Sequence, residues 1–383
     1  MSGAARPRGE IKALTSLRGL AAMTVVMQHF SATAQHNASG WIPSIIPHGY
    51  MAVDFFFVLS GFIMSYTYLA DFETAGLRAY GPFLWKRVAR IFPLGIAITL
   101  IIALLGLAMA PFGLTGLFYH LPPGTGLGTL IAINLLHLQG LMPDYSLNDP
   151  SWSVSVELGA YLLFPVLIYL NISARPWVTA AYTAFGIWIL LRLSAHDPTG
   201  GMGFRSPPFD MARCVIEFGF GMLVFQAYRR GGWMCALGRD RWTWVIAGLG
   251  VASLVGRSDL AAVAVFPFLV LAFALNTGRP SRILSHPWLH YLGAISFSIY
   301  LVHQMLRETE FWAVRLLHPT PLPPWMALCV AFIGSLTVLP LAVLAYHGIE
   351  RPGRTALNGI IKRINRRRGV ASTAEGTATR TAD

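Results

Sequence analysis

Long hydrophobic runs alternate with short polar segments along the whole chain. Most of these runs are long enough to cross a bilayer as a helix, which takes about 20 residues. They lie at 14–34, 51–70, 91–110, 128–143, 157–172, 177–193, 211–228, 242–256, 260–277, 290–306 and 324–347. The pattern predicts an all-α protein, a polytopic bundle of transmembrane helices.

The positions of lysine and arginine predict how this bundle is oriented. Basic residues concentrate in the flank before residue 13, in the flank after residue 350 and in short connections. Because cytoplasmic segments carry the basic excess, we expect both termini in the cytoplasm and therefore an even number of crossings. Segment 128–143 is the weakest candidate, since it is short and contains Asn134, His137 and Gln139. We predict about ten crossings, with 128–143 as a short re-entrant or partly inserted segment.

One membrane domain accounts for most of the chain. We assign 1–12 to a cytoplasmic N-terminal segment, 13–353 to the transmembrane domain and 354–383 to a cytoplasmic tail. The tail is basic at first, and from residue 369 it reads GVASTAEGTATRTAD, a small and polar composition typical of disorder. No internal repeat and no separate soluble domain is visible in the sequence.

Composition supports a membrane protein and excludes a typical soluble one. Of the 383 residues, 55% are hydrophobic and 12% are charged, whereas soluble domains carry about 25% charged residues. A net charge of +12 could indicate nucleic-acid binding, but the charges lie where membrane topology requires them, so no nucleic-acid partner is predicted. The three cysteines are scattered without metal-ligand spacing, and no metal site is predicted.

Two ionisable residues share one face of the first apolar segment, LTSLRGLAAMTVVMQHF. Arg18 and His29 are eleven residues apart, a rotation of about 1100°, close to three full turns. Along the helix axis the two side chains are about 16 Å apart. The predicted topology places Arg18 near the cytoplasmic end and His29 in the outer half of the same helix.

Other polar residues inside the apolar segments follow the same division. Arg87 and Arg90 lie one turn apart at the cytoplasmic start of the third segment, where they can face one ligand together. Asp54, Glu157 and His303 lie near outer ends of their segments. The sequence therefore predicts an inner basic centre and an outer centre of histidine and carboxylates. Intramembrane ionisable groups are costly and mark functional sites.

Each residue also has a purely structural interpretation. The arginines could only set topology, His29 could be hydrogen-bonded in the core, Asp54 could favour the dipole of its helix, and Glu157 could belong to a helix cap. The serines of SWSVSVE suit turns and caps better than nucleophilic catalysis. The joint arrangement favours function, because arginine pairs bind phosphate and a histidine near a carboxylate acts as a general base.

At these residues the chain resembles the membrane acyltransferase-3 family. Those proteins are bacterial integral-membrane O-acyltransferases that modify exopolysaccharides, lipopolysaccharides and macrolides. The resemblance covers residues 11–353, in family order. It rests on SLRGLAAMTVVMQHF, VDFFFVLSGFIM, the R-x-x-R of Arg87 and Arg90, DPSWSVSVELGAYLLFP, GAISFSIYLVH and YHGIERP.

The resemblance implies a ten-helix bundle in the bacterial inner membrane that transfers an acyl group, often acetyl, from cytoplasmic acyl-CoA. It implies that Arg18, Arg87 and Arg90 bind the cofactor and that His29 and Glu157 are catalytic. We add Asp54 as a catalytic candidate and expect that Asp54 or Glu157 orients His29. In its compactness the chain resembles the exopolysaccharide-modifying members, so the expected acceptor is a hydroxyl of a surface polysaccharide or its lipid-linked precursor.

The expected donor is acyl-CoA, with acetyl-CoA as the first form to test. The expected acceptor is a glycan or a lipid-linked oligosaccharide. Membrane lipid and proteins of polysaccharide assembly are further expected partners. His29 either activates the acceptor hydroxyl or briefly accepts the acyl group. An alternative is a proton-coupled transporter or flippase of a glycan or lipid, since histidine and aspartate also serve proton relays. A third alternative is a non-catalytic scaffold for a polysaccharide synthase.

Overall fold

The fold was analysed in a computed structural model, which describes residues 9–41, 46–112, 121–173, 175–196, 202–203, 206–256, 258–318 and 320–367. Residues 369–383, where the sequence predicts disorder, lie outside this described part. Among the described residues the chain is helical, and the β pairing consists of one isolated bridge between Ala38 and Leu322. The predicted all-α class is confirmed.

The helices follow the predicted apolar segments closely. In chain order they are α1 Lys12–Asn37, α2 Ala52–Ala75, α3 Tyr80–Met109, α4 Leu127–Leu135, α5 Ser151–Leu162, α6 Phe164–Ile168, α7 Pro176–His196, α8 Pro207–Arg230, α9 Asp240–Val255, α10 Asp259–Leu275, α11 Arg279–Leu284, α12 Pro287–Ala294, α13 Ser296–Leu317, α14 Pro324–Ala345 and α15 Arg351–Arg367. A π-helical turn, Tyr346–Glu350, joins α14 to α15.

Within the described residues, three helical stretches are long and apolar enough to cross a membrane. They are Gly49–Phe112, which contains both α2 and α3, then Pro176–His196, and Pro324–Ile361. A fourth is added if α5 and α6 count as one span. The helices α1, α8 and α13 have 26, 24 and 22 residues but carry more polar side chains. The number of about ten crossings and the cytoplasmic termini stay predictions.

Three predicted segments differ in detail from the helices observed. The segment at 157–172 begins earlier, at Ser151, and bends by 64° between α5 and α6. Pro165 lies in the first turn of α6, and proline can neither donate a backbone hydrogen bond nor fit against the preceding turn. The segment at 290–306 is likewise two helices, α12 and α13, which meet at Ile295. Segment 128–143 contains only the nine-residue helix α4.

Helix α1 lies at the centre of the part of the bundle that holds the predicted site. It packs against α12, α13 and α14 on one side and against α2 on another. Gly19 permits its closest approach, because a Cβ atom there would lie 2.6 Å from the backbone nitrogen of Gly293. Small residues at such crossings let helix backbones come close in a membrane protein. This contact brings Arg18 of α1 to the junction of α12 and α13.

Candidate active site

The three predicted arginines line a single cavity. Its volume is about 180 Å³, and its walls come from α1, α2, α3, α5 and the start of α13. Along α2 the lining runs from Met64 to Val53, a distance of about 16 Å. The polar lining residues are Arg18, Ser60, Arg87, Arg90, Ser153, Glu157, Tyr161, Ser296 and Tyr300. The cavity is therefore elongated and carries a basic cluster, although most of its wall is apolar.

Arg18 is held in the cavity wall by the junction between α12 and α13. Its Nε donates to the hydroxyl of Ser296 at 2.9 Å, and Nη2 donates to the carbonyl of Gly293 at 2.7 Å. The carbonyl is accessible because α12 ends there and leaves its last carbonyls without intrahelical partners. These bonds fix the guanidinium without neutralising it, so its positive charge stays available to a ligand.

Arg90 is held by a buried carboxylate near the end of the apolar region. Its Nη1 donates to Oε1 of Glu350, which is 1% exposed, and the hydroxyl of Ser298 donates to the other carboxylate oxygen at 2.7 Å. Charge-assisted hydrogen bonds of this kind are stronger than neutral ones. Glu350 lies in the YHGIERP segment, so that sequence supplies the group that positions one cavity arginine.

Arg87 and Glu157 belong to a third set of contacts in the same cavity. Arg87 donates from Nη2 to the hydroxyl of Tyr68 at 2.7 Å, while its Nε is buried without a partner among the described residues. The guanidinium lies over the rings of Tyr68 and Tyr161, 5.2 and 5.9 Å from their centroids. The hydroxyl of Tyr161 donates to Glu157 at 2.6 Å. Arg87 thus has one unsatisfied buried donor and lies beside an acidic and aromatic wall.

His29 pairs with a second histidine. Its Nδ1 lies 2.9 Å from Nε2 of His303, and Nδ1 of His303 lies 2.7 Å from the carbonyl oxygen of Tyr300. A carbonyl only accepts, so Nδ1 of His303 carries the proton and its Nε2 is an acceptor. In the neutral pair, Nδ1 of His29 must then donate. That tautomer leaves Nε2 of His29 with a lone pair, as a general base requires.

The cavity approaches this histidine pair without including it. Tyr300 lines the cavity, and its hydroxyl lies 2.8 Å from that of Ser153. Its ring centroid is 5.7 Å from that of the fully buried His303. Among the described lining residues, neither histidine is present. One layer of side chains, with Tyr300 at its centre, separates the basic cavity from the pair.

Asp54 belongs to neither of these groups. Its two carboxylate oxygens both accept from Arg213, through Nε and Nη2, and all of these atoms lie on buried side chains. Arg213 also donates from Nη1 to the carbonyl of Met202 at 2.6 Å. Glu217 lies one turn further along α8, with Oε1 3.9 Å from Nε of Arg213. Asp54 therefore joins α2 to α8 and does not contact His29.

The predicted outer centre is thus three separate groups. The sequence prediction that Asp54 or Glu157 orients His29 does not agree with the geometry, because Asp54 is bound to Arg213 and Glu157 lies in the arginine cavity. The contact of His29 is His303. Sequence reasoning missed Arg213 entirely and assigned no role to Glu350. A charge inside an apolar helix was the signal that could have identified Arg213.

Comparisons with known proteins agree with the sequence resemblance. The acyltransferase-3 family model, described as "Acyltransferase domain", matches residues 11–347. The chain is 27% identical to Acyltransferase MdmB of Streptomyces mycarofaciens over 328 residues, 77% of this chain and 79% of that protein. No solved structure gives a significant match.

Two relatives from Staphylococcus aureus are longer than this chain. Each bears the name "Putative O-acetyltransferase", and each is 22% identical, over 382 residues in strain COL and 379 residues in strain N315. The matches cover 90% and 89% of this chain but 57% of each relative, so the chain spans little more than half of their length. Together with the apolar helices, the family match shows that the chain is an integral membrane protein belonging to the acyltransferase-3 family.

Proposed function

We propose that the protein is a multi-pass O-acyltransferase of the bacterial inner membrane that takes an acyl group, acetyl in the first instance, from cytoplasmic acyl-CoA. The acceptor is a hydroxyl of a sugar in a cell-surface polysaccharide or its lipid-linked precursor. The observation that carries the proposal is the convergence of Arg18, Arg87, Arg90 and Glu157 on one elongated cavity.

The size of the cavity suggests how the donor binds. At about 180 Å³ it is smaller than the roughly 300–1,000 Å³ of typical ligand pockets. We therefore assign the cavity to the acyl group and the narrow pantetheine arm, and its mouth to the nucleotide. Arginine is well suited to the donor's phosphates, because its planar guanidinium forms paired charge-assisted bonds. Arg87, whose Nε has no partner among the described residues, lines the same cavity as Arg18 and Arg90.

The histidine pair supplies the base. Nε2 of His29 takes the proton of the acceptor hydroxyl as its oxygen attacks the thioester carbonyl carbon. The carbon–sulfur bond then breaks, and the proton passes to the departing CoA thiolate, so that an ester and free CoA result. His303 acts through His29 as a positioning residue, since it fixes the ring and its tautomer. For the acyl carbon to reach His29, the Tyr300 side chain must move aside.

The proposal includes the predicted topology. The helices α1, α8 and α13 are 22 to 26 residues long, or about 33 to 39 Å, which is enough to span the hydrocarbon core. Their polar residues contact one another inside the bundle, as in the His29–His303 and Arg213–Asp54 pairs. Ten crossings with both termini in the cytoplasm would place the arginines at the side where acyl-CoA is available.

The relatives support the chemistry at the level of their names. MdmB is named an acyltransferase and the Staphylococcus aureus proteins are named for O-acetyl transfer. Oxygen as the accepting atom and acetyl as the first acyl group to test follow from those names.

The test is transfer of label from acetyl-CoA. Purified protein in liposomes is mixed with acetyl-labelled acetyl-CoA and with membranes of the host lacking the protein, and products are analysed by mass spectrometry. We expect a sugar product heavier by one acetyl group with the wild type and none with His29→Ala. The matched control is His286→Ala, since His286 is exposed.

Three outcomes are distinguishable. Label in the glycan that depends on His29 supports the proposal. Equal labelling by wild type and His29→Ala contradicts the assigned base. Glycan or lipid movement across the bilayer without label and without acetyl-CoA supports the transporter instead.

A further inference from the structure

Three buried polar atoms without partners lie on α1 and α13 beside the histidine pair. Oε1 of Gln28, Oε1 of Gln304 and Nε of Arg307 are buried and have no hydrogen-bond partner among the described residues. Gln28 and Gln304 directly adjoin His29 and His303 in sequence, and Arg307 lies one turn beyond His303. The positive charge of Arg307 acts electrostatically on both imidazoles. An unsatisfied buried polar group is costly, so a ligand that forms hydrogen bonds with these atoms would offset that cost.

Glu310 adds a carboxylate to this region. It lies where α1, α13 and α14 meet, since a Cβ atom on Gly334 would be 1.5 Å from its Oε2 and 2.8 Å from Cε1 of Phe30. The absence of a side chain at Gly334 therefore leaves the space that the Glu310 carboxylate occupies. Glu310 is partly buried, and no hydrogen bond or ion pair connects it to another described residue.

Arg307 and Glu310 lie on the side of the histidine pair away from the arginine cavity, whereas Gln28 precedes His29 and packs against Gly49. Helices α1 and α13 run in the same direction, because Arg18 contacts Ser296 and His29 contacts His303. His303, Arg307 and Glu310 follow at four- and three-residue spacing, which places them on one face of α13. Beyond them, Leu322 donates its backbone N–H to the carbonyl of Asn37 at 2.8 Å, at the far end of α1.

We propose that Gln304, Arg307 and Glu310 form an acceptor subsite, which binds the hydroxyl groups of one sugar ring and presents one hydroxyl to His29. This inference rests on the proposed function. In it, donor and acceptor approach the histidine pair from opposite ends: acyl-CoA from the arginine cavity and the sugar along the distal face of α13.

The chemistry of the subsite favours a neutral, hydroxyl-rich ligand. Amide and carboxylate oxygens accept hydrogen bonds from hydroxyl groups, and Arg307 donates to hydroxyl oxygens. Phosphate fits poorly, because Arg307 is already paired with Glu308 and the remaining carboxylate of Glu310 would repel an anion. Leaving such buried groups unpaired strongly disfavours an analogue that lacks the hydroxyls.

The test compares the donor and acceptor dependence of the same variants. With acetyl-labelled acetyl-CoA and graded amounts of membranes from the host lacking the protein, Glu310→Gln should need at least tenfold more acceptor membrane for half-maximal rate. Its half-saturating acetyl-CoA concentration should be unchanged. Arg307→Gln should show the same increase in acceptor requirement and the same unchanged acetyl-CoA value. The control Glu73→Gln alters an exposed carboxylate and should leave both values unchanged.

Gly334→Ala tests the geometry without changing a polar group. The added methyl group must displace the Glu310 carboxylate, so this variant should show the same acceptor defect as Glu310→Ala. The double variant should be no worse than either single one, since both changes remove the same interaction. Acetyl-CoA binding by each variant verifies that the variant is folded. If a Glu310 variant does not bind acetyl-CoA, the acceptor requirement of Arg307→Gln and Gly334→Ala tests the subsite instead.

Two results would overturn the subsite while leaving the proposed function intact. One is an unchanged acceptor requirement in variants that still transfer label, and the other is a defect confined to acetyl-CoA. A wild type that transfers no label would instead contradict the proposed function, and the subsite with it.

Discussion

Two groups of buried charges in this protein have opposite surroundings. The pair of Asp54 and Arg213 is sealed: both carboxylate oxygens are occupied, Arg213 is 5% exposed, and the residues join α2 to α8. In contrast, Arg18, Arg87 and Arg90 line a cavity, and Nε of Arg87 has no partner among the described residues. The comparison teaches that depth in the membrane does not identify a functional charge. The decisive feature is whether the charge still has an unsatisfied side that a ligand can reach.

The largest expected effect concerns the sealed pair. Asp54→Ala should lower stability by about 3–5 kcal/mol, because it leaves the Arg213 guanidinium buried without its counter-charge. Arg213→Met should be similarly harmful, whereas the double variant Asp54→Leu/Arg213→Met should recover most of the loss. Thermal unfolding of purified protein in detergent measures this. Full stability in Asp54→Ala, with activity lost, would show that Asp54 is functional and would break the comparison.

His303 tests a polar residue that is buried but acts through its neighbour. His303→Leu removes the acceptor for Nδ1–H of His29 and should lower kcat about 10²-fold, at the lower end of general-base contributions, with KM for acetyl-CoA unchanged. His303→Gln should recover part of the rate, since its amide oxygen can accept the same bond. If the role of His303 were purely structural, the variant would instead be less stable. The loss of kcat would then be no larger than the loss of folded protein.

The open cavity should respond in donor binding. Arg90→Gln should raise KM for acetyl-CoA about 10- to 100-fold, since a hydrogen bond to a charged group contributes roughly 1.5–3 kcal/mol. Glu350→Gln keeps the shape of the side chain but weakens its hydrogen bond to Arg90, so it should cause a smaller increase in KM for acetyl-CoA. Steady-state kinetics on folded variants measures both. An equal loss of stability in Arg90→Gln and Asp54→Ala would remove the distinction between the two charge groups.

The smallest effect is expected at an exposed ion pair. The side chains of Arg229 and Glu73 are each 50% exposed, and Nη1 of Arg229 lies 2.7 Å from Oε1 of Glu73. Exposed pairs contribute about 0–1 kcal/mol, so Glu73→Gln should change thermal stability by that amount at most and leave activity unchanged. A loss comparable to that of Asp54→Ala would mean that burial does not determine what charges do in this fold.

Hydrophobic patterning predicted most of the fold, because helix length and polar connections are local properties. Each predicted segment corresponds to a helix or to a helix pair, and the deviations have local causes, such as Pro165 at the bend between α5 and α6. The spacing of Arg18 and His29 predicted their shared face. The sequence also predicted the three arginines as one group, and they line one cavity.

Contacts between helices could not be predicted in the same way. A sequence gives the depth of Asp54, Glu157 and His29 along their helices, but it does not say which neighbour each helix face meets. Helix packing then separates them: Asp54 meets Arg213 and His29 meets His303, whereas Glu157 contacts Tyr161 of its own helix. The two pairs between helices join residues 159 and 274 positions apart in the chain.

The most direct test of the central claim is the affinity for acetyl-CoA, measured by calorimetry in the His29→Ala background so that no turnover occurs. Addition of Arg87→Gln and Arg90→Gln should weaken binding at least tenfold, while Glu310→Gln added to the same background should leave it unchanged. Equal affinity with and without the two cavity arginines would contradict the account, because the donor would then be bound elsewhere.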